Sequence, residues 1–252
     1  MQTSKVLKVA RPQIELLLEA ARTTATPAQA KNAEEAFFKA LLESTVYVHV
    51  PVEPMPLNRM RFVQFIRPDN GQTVLPFFSD RDEAETVARN KFHMVSIIGR
   101  RLFELTRGAT LMLNPNVDQV ALYPAEIDAL LDGRPLGYFT QETLQADEEV
   151  GICLPSVPTD SLVLALRDLY AREPAVRAAY LVEVHRPPDD TDVFLLLTLV
   201  VTKGSNERMV QLTSLELSSL SPRLERPLTM TCVAPDAELP ALCHEGIQFY
   251  GT

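Results

Sequence analysis

The residues able to ligate a soft metal or to act as a nucleophile stand far apart along this chain. Its three cysteines are Cys153, Cys232 and Cys243, and its four histidines are His49, His93, His185 and His244. Zinc sites are usually visible in a sequence through short spacings such as CxxC or HExxH, and neither spacing is present. Cys243 and His244 are adjacent, so on a helix they would point about 100° apart. The sequence therefore assigns no metal ligand.

A cysteine–histidine pair can be imagined if Cys153 and His185 lie on neighbouring strands. A reactive thiol has to be partly exposed and to have a lowered pKa. Cys153 stands between Ile152 and Leu154 in an apolar strand, which predicts a position in the core. We therefore assign no catalytic residue.

The sequence also shows no motif for a phosphate-binding loop or for a hard-cation site. Nine glycines are scattered singly, whereas a phosphate cradle needs clustered glycines that let backbone N–H groups approach the anion. Asp189, Asp190 and Asp192 follow two prolines at a predicted hairpin tip, without the glycine and distal glutamate of an EF-hand loop. Turn formation explains them. The sequence therefore assigns no cofactor and no cofactor-binding residue.

Composition and charge exclude several classes of protein. The formal charge is −9 and hydrophobic residues make up 46% of the 252 positions, which is typical of a globular chain whose net charge repels nucleic-acid backbones. No run approaches the roughly 20 apolar residues that span a bilayer. An odd number of cysteines does not indicate a secreted disulfide framework. We expect a cytoplasmic protein that binds neither nucleic acid nor membrane.

The segment from Asp118 to Glu149 is strongly acidic, with Arg134 as its single basic residue. A solvated linker explains this composition. The alternative is a patch that steers a basic protein partner, because electrostatic complementarity speeds association and aromatic residues are enriched at interfaces. The predicted partner-binding residues are Tyr123, Tyr138, Phe139, Asp147, Glu148 and Glu149.

Secondary-structure signals in the first half mix hairpins with helices. Helices are predicted for residues 12–22, from Asn32, after a cap at Ser79 or Asp80, over 100–107 and from Pro124. Strands are predicted for 45–50, 61–66, 73–78, 92–98 and 111–113, with Asn70-Gly71 forming a tight hairpin turn. This mixture indicates an α+β domain.

The second half is predicted to begin at residue 150. Strands at 150–154, 176–184, 193–202 and 228–233 alternate with helices after Thr159 and from Asn206, and residues 237–244 form a closing helix. This βαββαβ order predicts a ferredoxin-like sandwich. The predicted division is a helical extension at 1–30, a mixed-sheet domain at 31–136, a linker at 137–149 and the second domain at 150–252.

Three segments of the first half carry a family resemblance. They are Phe37–Ser44 before an alternating strand, Val74–Ser79 opening a capped helix, and Gly99–Leu105 followed by Gly108 and Leu111–Pro115. Together they resemble the N-terminal domain of the SseB family, named for enhanced sensitivity to serine. Gly151 through Val184 resembles that family's C-terminal domain. The resemblance implies a two-domain α+β cytoplasmic protein of unassigned activity, and it supplies no catalytic residues.

Three hypotheses of function follow. The first is a non-enzymatic protein-interaction or regulatory module of the SseB type, with a protein partner or with a second copy of itself. The second is an enzyme or small-molecule sensor whose site is assembled from dispersed residues. The third is a secretion-associated, type III-like protein, in which the break at Thr23–Pro27 sets off a leader.

Overall fold

A computed structural model describes residues 13–23, 27–53, 60–89, 91–136, 150–186 and 192–251. The chain divides into two compact units. The first consists of Met1–Pro68 and Gln72–Pro135, and the second of Asp69–Gly71 and Leu136–Thr252. The predicted linker at 137–149 lies outside the described residues, and the predicted domain limits stay a prediction. Within the described ranges, no helix combines the length and the apolar character needed to cross a membrane.

The first unit is a mixed sheet with helices. Its helices are α1 (Gln13–Thr23), α2 (Pro27–Glu43), α3 (Arg81–Ala88), α4 (Gly99–Leu105) and α5 (Pro124–Leu131). Its strands are β1 (Thr45–Val50), β2 (Phe65–Ile66), β3 (Thr73–Phe78), β4 (His93–Ile98), β5 (Leu111–Leu113) and β6 (Val120–Leu122). Helix α2 begins at Pro27, earlier than the predicted Asn32, because a proline at the first helical position loses no intrahelical hydrogen bond.

The strand order of the first sheet is β4-β1-β3-β5-β6, and β2 pairs with β3. The β3–β5 pair is parallel and the other pairs are antiparallel. Strand β3 is buried along almost its whole length, as expected for a strand inside a covered sheet. The α+β prediction is confirmed for this unit.

The second unit is also a sheet with helices. Its elements are β7 (Gly151–Cys153), α6 (Asp160–Ala171), β8 (Val176–Arg186), β9 (Asp192–Val201), α7 (Asn206–Ser218), β10 (Leu228–Val233), a 3₁₀ helix (Ala241–Glu245) and β11 (Ile247–Tyr250). The strand order is β10-β9-β8-β11, with β7 also pairing with β8. Strand β11 was not predicted, and the predicted closing helix is a five-residue 3₁₀ helix.

The ferredoxin-like topology predicted for the second unit is not shown. A ferredoxin-like fold is a split βαβ arrangement, in which another strand separates the two strands that flank a helix. Here β7 and β8 flank α6 and pair directly, and β9 and β10 flank α7 and pair directly. Strand order depends on contacts between distant parts of the chain, so a correct sequence of elements does not determine it.

Both faces of the second sheet are apolar. One face packs with α6 and α7 and contains Leu181, Leu195 and Leu197. The opposite face contains Val182, Val184 and Phe194. Because successive strand residues point to opposite faces, odd-numbered residues in this part of β8 lie on the helix-covered face. Any polar residue at such a position needs a partner.

Candidate functional site

The pairing of β7 with β8 brings three polar residues to one face of the second sheet. Cys153 is directly opposite Glu183, and Gly151 is directly opposite His185. Glu183 and His185 are two positions apart on β8, with Val184 between them, and so share a face. That face is the helix-covered one, because Leu181 belongs to the core formed with α6 and α7. The register therefore places a thiol, a carboxylate and an imidazole together.

The three side chains converge at their functional atoms. Cys153 Sγ lies 3.6 Å from His185 Nε2, and His185 Nε2 lies 3.0 Å from Glu183 Oε1. One ligand-type atom from each of the three residues lies within 4.8 Å of the other two. Among the residues that the structure describes, these three alone bring cysteine, histidine and acidic ligand atoms this close together. We call it the Cys–Glu–His cluster.

Glu183 is the buried member of the Cys–Glu–His cluster, with 1% of its surface exposed. The Ser156 backbone N–H donates to its Oε2 at 3.0 Å, and the Ser156 hydroxyl lies 2.8 Å from both carboxylate oxygens. Burial alone would raise the pKa of Glu183, but these hydrogen bonds, together with His185, outweigh it and lower that pKa. The carboxylate is therefore ionised and held in one orientation.

The connection between β7 and α6 positions Ser156. Pro155 and Pro158 stand on either side of it, and a proline fixes its own φ angle, so the connection has little conformational freedom. Val157 packs against the helix-covered core. These constraints place the Ser156 N–H and hydroxyl over the Glu183 carboxylate.

Cys153 is exposed, not buried, so its predicted position in the core is wrong. The prediction relied on its apolar neighbours, but β7 has only three residues. Ile152 packs on the opposite face, and Leu154 is 60% exposed. Desolvation and the Glu183 charge raise the pKa of the Cys153 thiol, so by itself it carries a proton at neutral pH.

The Cys–Glu–His cluster does not have the arrangement of a catalytic triad. In a triad one imidazole nitrogen contacts the nucleophile while the other nitrogen contacts the orienting carboxylate. Here the same atom, His185 Nε2, is next to both Cys153 Sγ and Glu183 Oε1. Three groups that point at one another can share a proton or a cation. They cannot relay a proton through the ring in this geometry.

Of the six predicted partner-binding residues, the structure describes one, Tyr123. Tyr123 is fully buried and packs with Val74, Met112 and Ala121, while its hydroxyl lies 3.4 Å from Gln72 Oε1. It therefore belongs to the core and presents no surface to a partner. Tyr138, Phe139, Asp147, Glu148 and Glu149 lie outside the described residues.

Glu183 and Ser156 were not predicted as site residues from the sequence. A signal for Glu183 exists, because Glu183 and His185 stand two positions apart in a strand whose neighbouring positions Leu181, Val182 and Val184 are apolar. Two polar residues on one face of a buried strand predict a shared partner. Nothing in the local sequence around Ser156 indicates that it contacts Glu183.

Comparisons with known proteins give consistent matches. Residues 17–129 match the family model described as SseB protein N-terminal domain, and residues 144–238 match the one described as SseB protein C-terminal domain. Protein SseB of Escherichia coli strain K12 is 28% identical over 211 residues, which is 80% of this chain and 76% of that protein. Protein SseB of Shigella flexneri gives the same values. No solved structure matches.

Proposed function

Because the chain belongs to the SseB family, with both of its domains, we propose that it is a non-enzymatic cytoplasmic protein-interaction module. The observation that carries this proposal is the edge of the first sheet. Among the described residues, β4 pairs with β1 alone, over all six of its positions. An unpaired strand edge is a template on which another chain can add a strand.

Strand β4 itself carries no charged Lys, Arg, Asp or Glu, no proline and no bulge that would protect its edge. Natural sheets block edge pairing with short strands, charged side chains, prolines or bulges. The six residues of β4 include no proline, lysine, arginine or acid, and the pairing with β1 continues without a register shift. Ser96 and Ile98 are exposed. Such an edge is suited to an extended segment of a partner protein or of a second copy.

The charge of the chain indicates which partner would be favoured. A net charge of −9 attracts a basic partner at long range, and this attraction weakens as salt is added. The acidic segment Asp147–Glu149 contributes to that charge. We therefore expect the partner to carry a basic region and its association to depend on ionic strength.

The edge-strand proposal is tested by capture from the native lysate at low and moderate salt, read by mass spectrometry. Tagged wild-type chain is compared with Ser96→Lys/Ile98→Lys, in which lysines block the edge, and with Leu164→Lys. Leu164 is 64% exposed on α6, so this variant is a matched control for an added surface lysine. We expect the β4 variant to lose about tenfold in partner affinity, equivalent to about 1.4 kcal/mol. Equal capture by all three chains would reject β4 as the interface.

A separate arm tests electrostatic steering. In the variant Asp147→Ser/Glu148→Ser/Glu149→Ser, the association rate should fall at low salt and approach that of wild type at high salt. If binding changes neither with salt nor with this substitution, the acidic segment does not steer the partner.

A sensor with a site assembled from dispersed residues is the second candidate function. The Cys–Glu–His cluster favours it, since its three members come from two strands and converge within 4.8 Å. This candidate does not exclude an interaction module, because ligand binding in one unit can regulate binding elsewhere.

A further inference from the structure

We propose that Cys153, Glu183 and His185 form a site for one divalent cation of the zinc type, with the fourth coordination position open to solvent. This inference does not rest on the interaction function proposed above. It follows from the geometry, the support and the charge of the Cys–Glu–His cluster.

The separations between the ligand atoms fit a tetrahedral metal site. With metal–sulfur bonds of about 2.3 Å and metal–nitrogen and metal–oxygen bonds of about 2.0 Å, tetrahedral angles place S about 3.5 Å from N or O, and N and O about 3.3 Å apart. The observed distances are 3.6 Å for Cys153 Sγ to His185 Nε2 and 3.0 Å for His185 Nε2 to Glu183 Oε1. Cys153 Sγ and a Glu183 carboxylate oxygen lie within 4.8 Å of each other, so this pair has to approach by up to about 1.3 Å to complete the tetrahedron.

The support around the cluster is that of a preorganised site. All three ligands stand on paired strands, which hold side chains more precisely than loops do. Ser156 donates from its backbone N–H and from its hydroxyl to the Glu183 carboxylate, and such outer partners orient metal ligands.

The charges of the ligand set match a dication. A thiolate and a carboxylate supply two negative charges, and a neutral imidazole supplies a lone pair. When the ion binds, the Cys153 S–H bond breaks, a metal–sulfur bond forms and the proton passes to solvent. A thiolate and an imidazole favour zinc-like ions over magnesium or calcium, which prefer oxygen ligands.

The cluster is partly open to solvent, so water can occupy the fourth coordination position of the ion. Cys153 is exposed, and the His185 side chain is 30% exposed while that of Glu183 is 1% exposed. Structural zinc sites have four protein ligands, whereas sites with three leave a position for water or another ligand. The geometry therefore points to an ion that can accept an exchangeable ligand.

Cobalt is the probe that tests the site, with tag-free full-length protein that has been reduced and freed of metal. We expect one equivalent of Co²⁺ to produce a thiolate-to-cobalt charge-transfer band and the visible absorption of tetrahedral cobalt, and one equivalent of Zn²⁺ to abolish both. Cys153→Ser should eliminate the charge-transfer band. His185→Gln should weaken binding by at least about tenfold, and Ser156→Ala, which only removes an orienting group, should keep the band and weaken binding about 10- to 100-fold.

Matched controls separate the site from other thiols and imidazoles. Cys232→Ser and His93→Gln remove the same chemical groups elsewhere, and each should bind cobalt as wild type does. Circular dichroism of every variant establishes that it is folded. A wild-type protein without a charge-transfer band, or a folded Cys153→Ser variant that keeps the band, would overturn the proposal.

Discussion

Asn114 and Ser79 form two mutual hydrogen bonds that join the end of β5 to the end of β3. The Ser79 backbone N–H donates to Asn114 Oδ1 at 3.0 Å, and Asn114 Nδ2 donates to Ser79 Oγ at 2.8 Å. Asn114 Nδ2 also donates to Asp118 Oδ2 at 2.7 Å, and the backbone N–H groups of Val117 and Asp118 donate to the Asn114 carbonyl. A single buried asparagine thus holds the turn that follows β5.

Replacing Asn114 should separate hydrogen bonding from backbone strain. Asn114 has φ of 45°, a left-handed conformation that glycine adopts freely and alanine does not. Asn114→Gly should cost about 2–3 kcal/mol because buried donors and acceptors lose their partners. Asn114→Ala should cost about 1 kcal/mol more because of the strain. Urea denaturation checks both values, and equal stability of the two variants would contradict the strain contribution.

Gly99 allows α4 to pack closely against α2. A Cβ atom at this position would overlap the Leu41 carbonyl oxygen and lie 3.0 Å from its carbonyl carbon. Because backbone atoms cannot move aside cheaply, Gly99→Ala should cost about 3 kcal/mol. Gly133→Ala is the control, since Gly133 has open space around it but φ of 71°, and it should cost about 1 kcal/mol. Thermal denaturation with similar losses for both variants would refute the packing explanation.

Glu83 makes the stability of the first unit depend on pH. Burial, followed by the charges of Asp118 and Asp80, raises the pKa of Glu83 to about 7, whereas an unfolded glutamate ionises near 4.3. Between these values the folded chain retains a proton that the unfolded chain has lost. The free energy of unfolding therefore falls as pH rises from about 4.5 to about 7.

The variant Glu83→Gln should remove this contribution. Because Glu83 is partly exposed, solvent screening reduces the effect to about 1 kcal/mol at pH 8, or about 2–4 °C in melting temperature, in favour of the variant. At pH 4 the difference should be small. Asp82→Asn, at an exposed neighbouring position, is the control. A constant difference between Glu83→Gln and wild type from pH 4 to 8 would contradict the assignment.

Tyr170 and Thr213 connect α6 with α7 inside the second unit. Their hydroxyls lie 3.1 Å apart, and both residues are fully buried. Tyr170→Phe or Thr213→Val should each cost about 1–2 kcal/mol because one hydroxyl is left without this partner. The double variant should cost less than the sum of the two, with a coupling of about 1 kcal/mol. Strict additivity in urea denaturation would show that this contact contributes nothing.

Local signals in the sequence predicted most elements correctly. The alternating residues 45–50 form β1, residues 228–233 form β10, and Pro124 begins α5. The SseB resemblance is confirmed by the two domain matches. These features depend on neighbouring residues, on periodicity and on capping, all of which can be read along the chain.

Most of the features that failed depend on contacts between distant segments. A Cys153–His185 pair, 32 positions apart, was considered from the sequence and set aside, because only the register of β7 on β8 shows that the two residues are neighbours. The same dependence on pairing explains why the strand order of the second unit was missed. The predicted closing helix failed for a local reason, since Pro240 precedes Ala241 and Gly246 follows Glu245, which leaves room for little more than one turn.

X-ray absorption at the zinc edge is the most direct test of the claim that the second unit assembles a metal site from two strands. Wild-type chain loaded with one equivalent of Zn²⁺ should show one sulfur neighbour at about 2.3 Å and nitrogen or oxygen neighbours at about 2.0 Å. The Cys153→Ser chain should show no sulfur neighbour. Zinc surrounded only by nitrogen and oxygen in the wild-type chain, or a sulfur neighbour that persists in Cys153→Ser, would contradict the account.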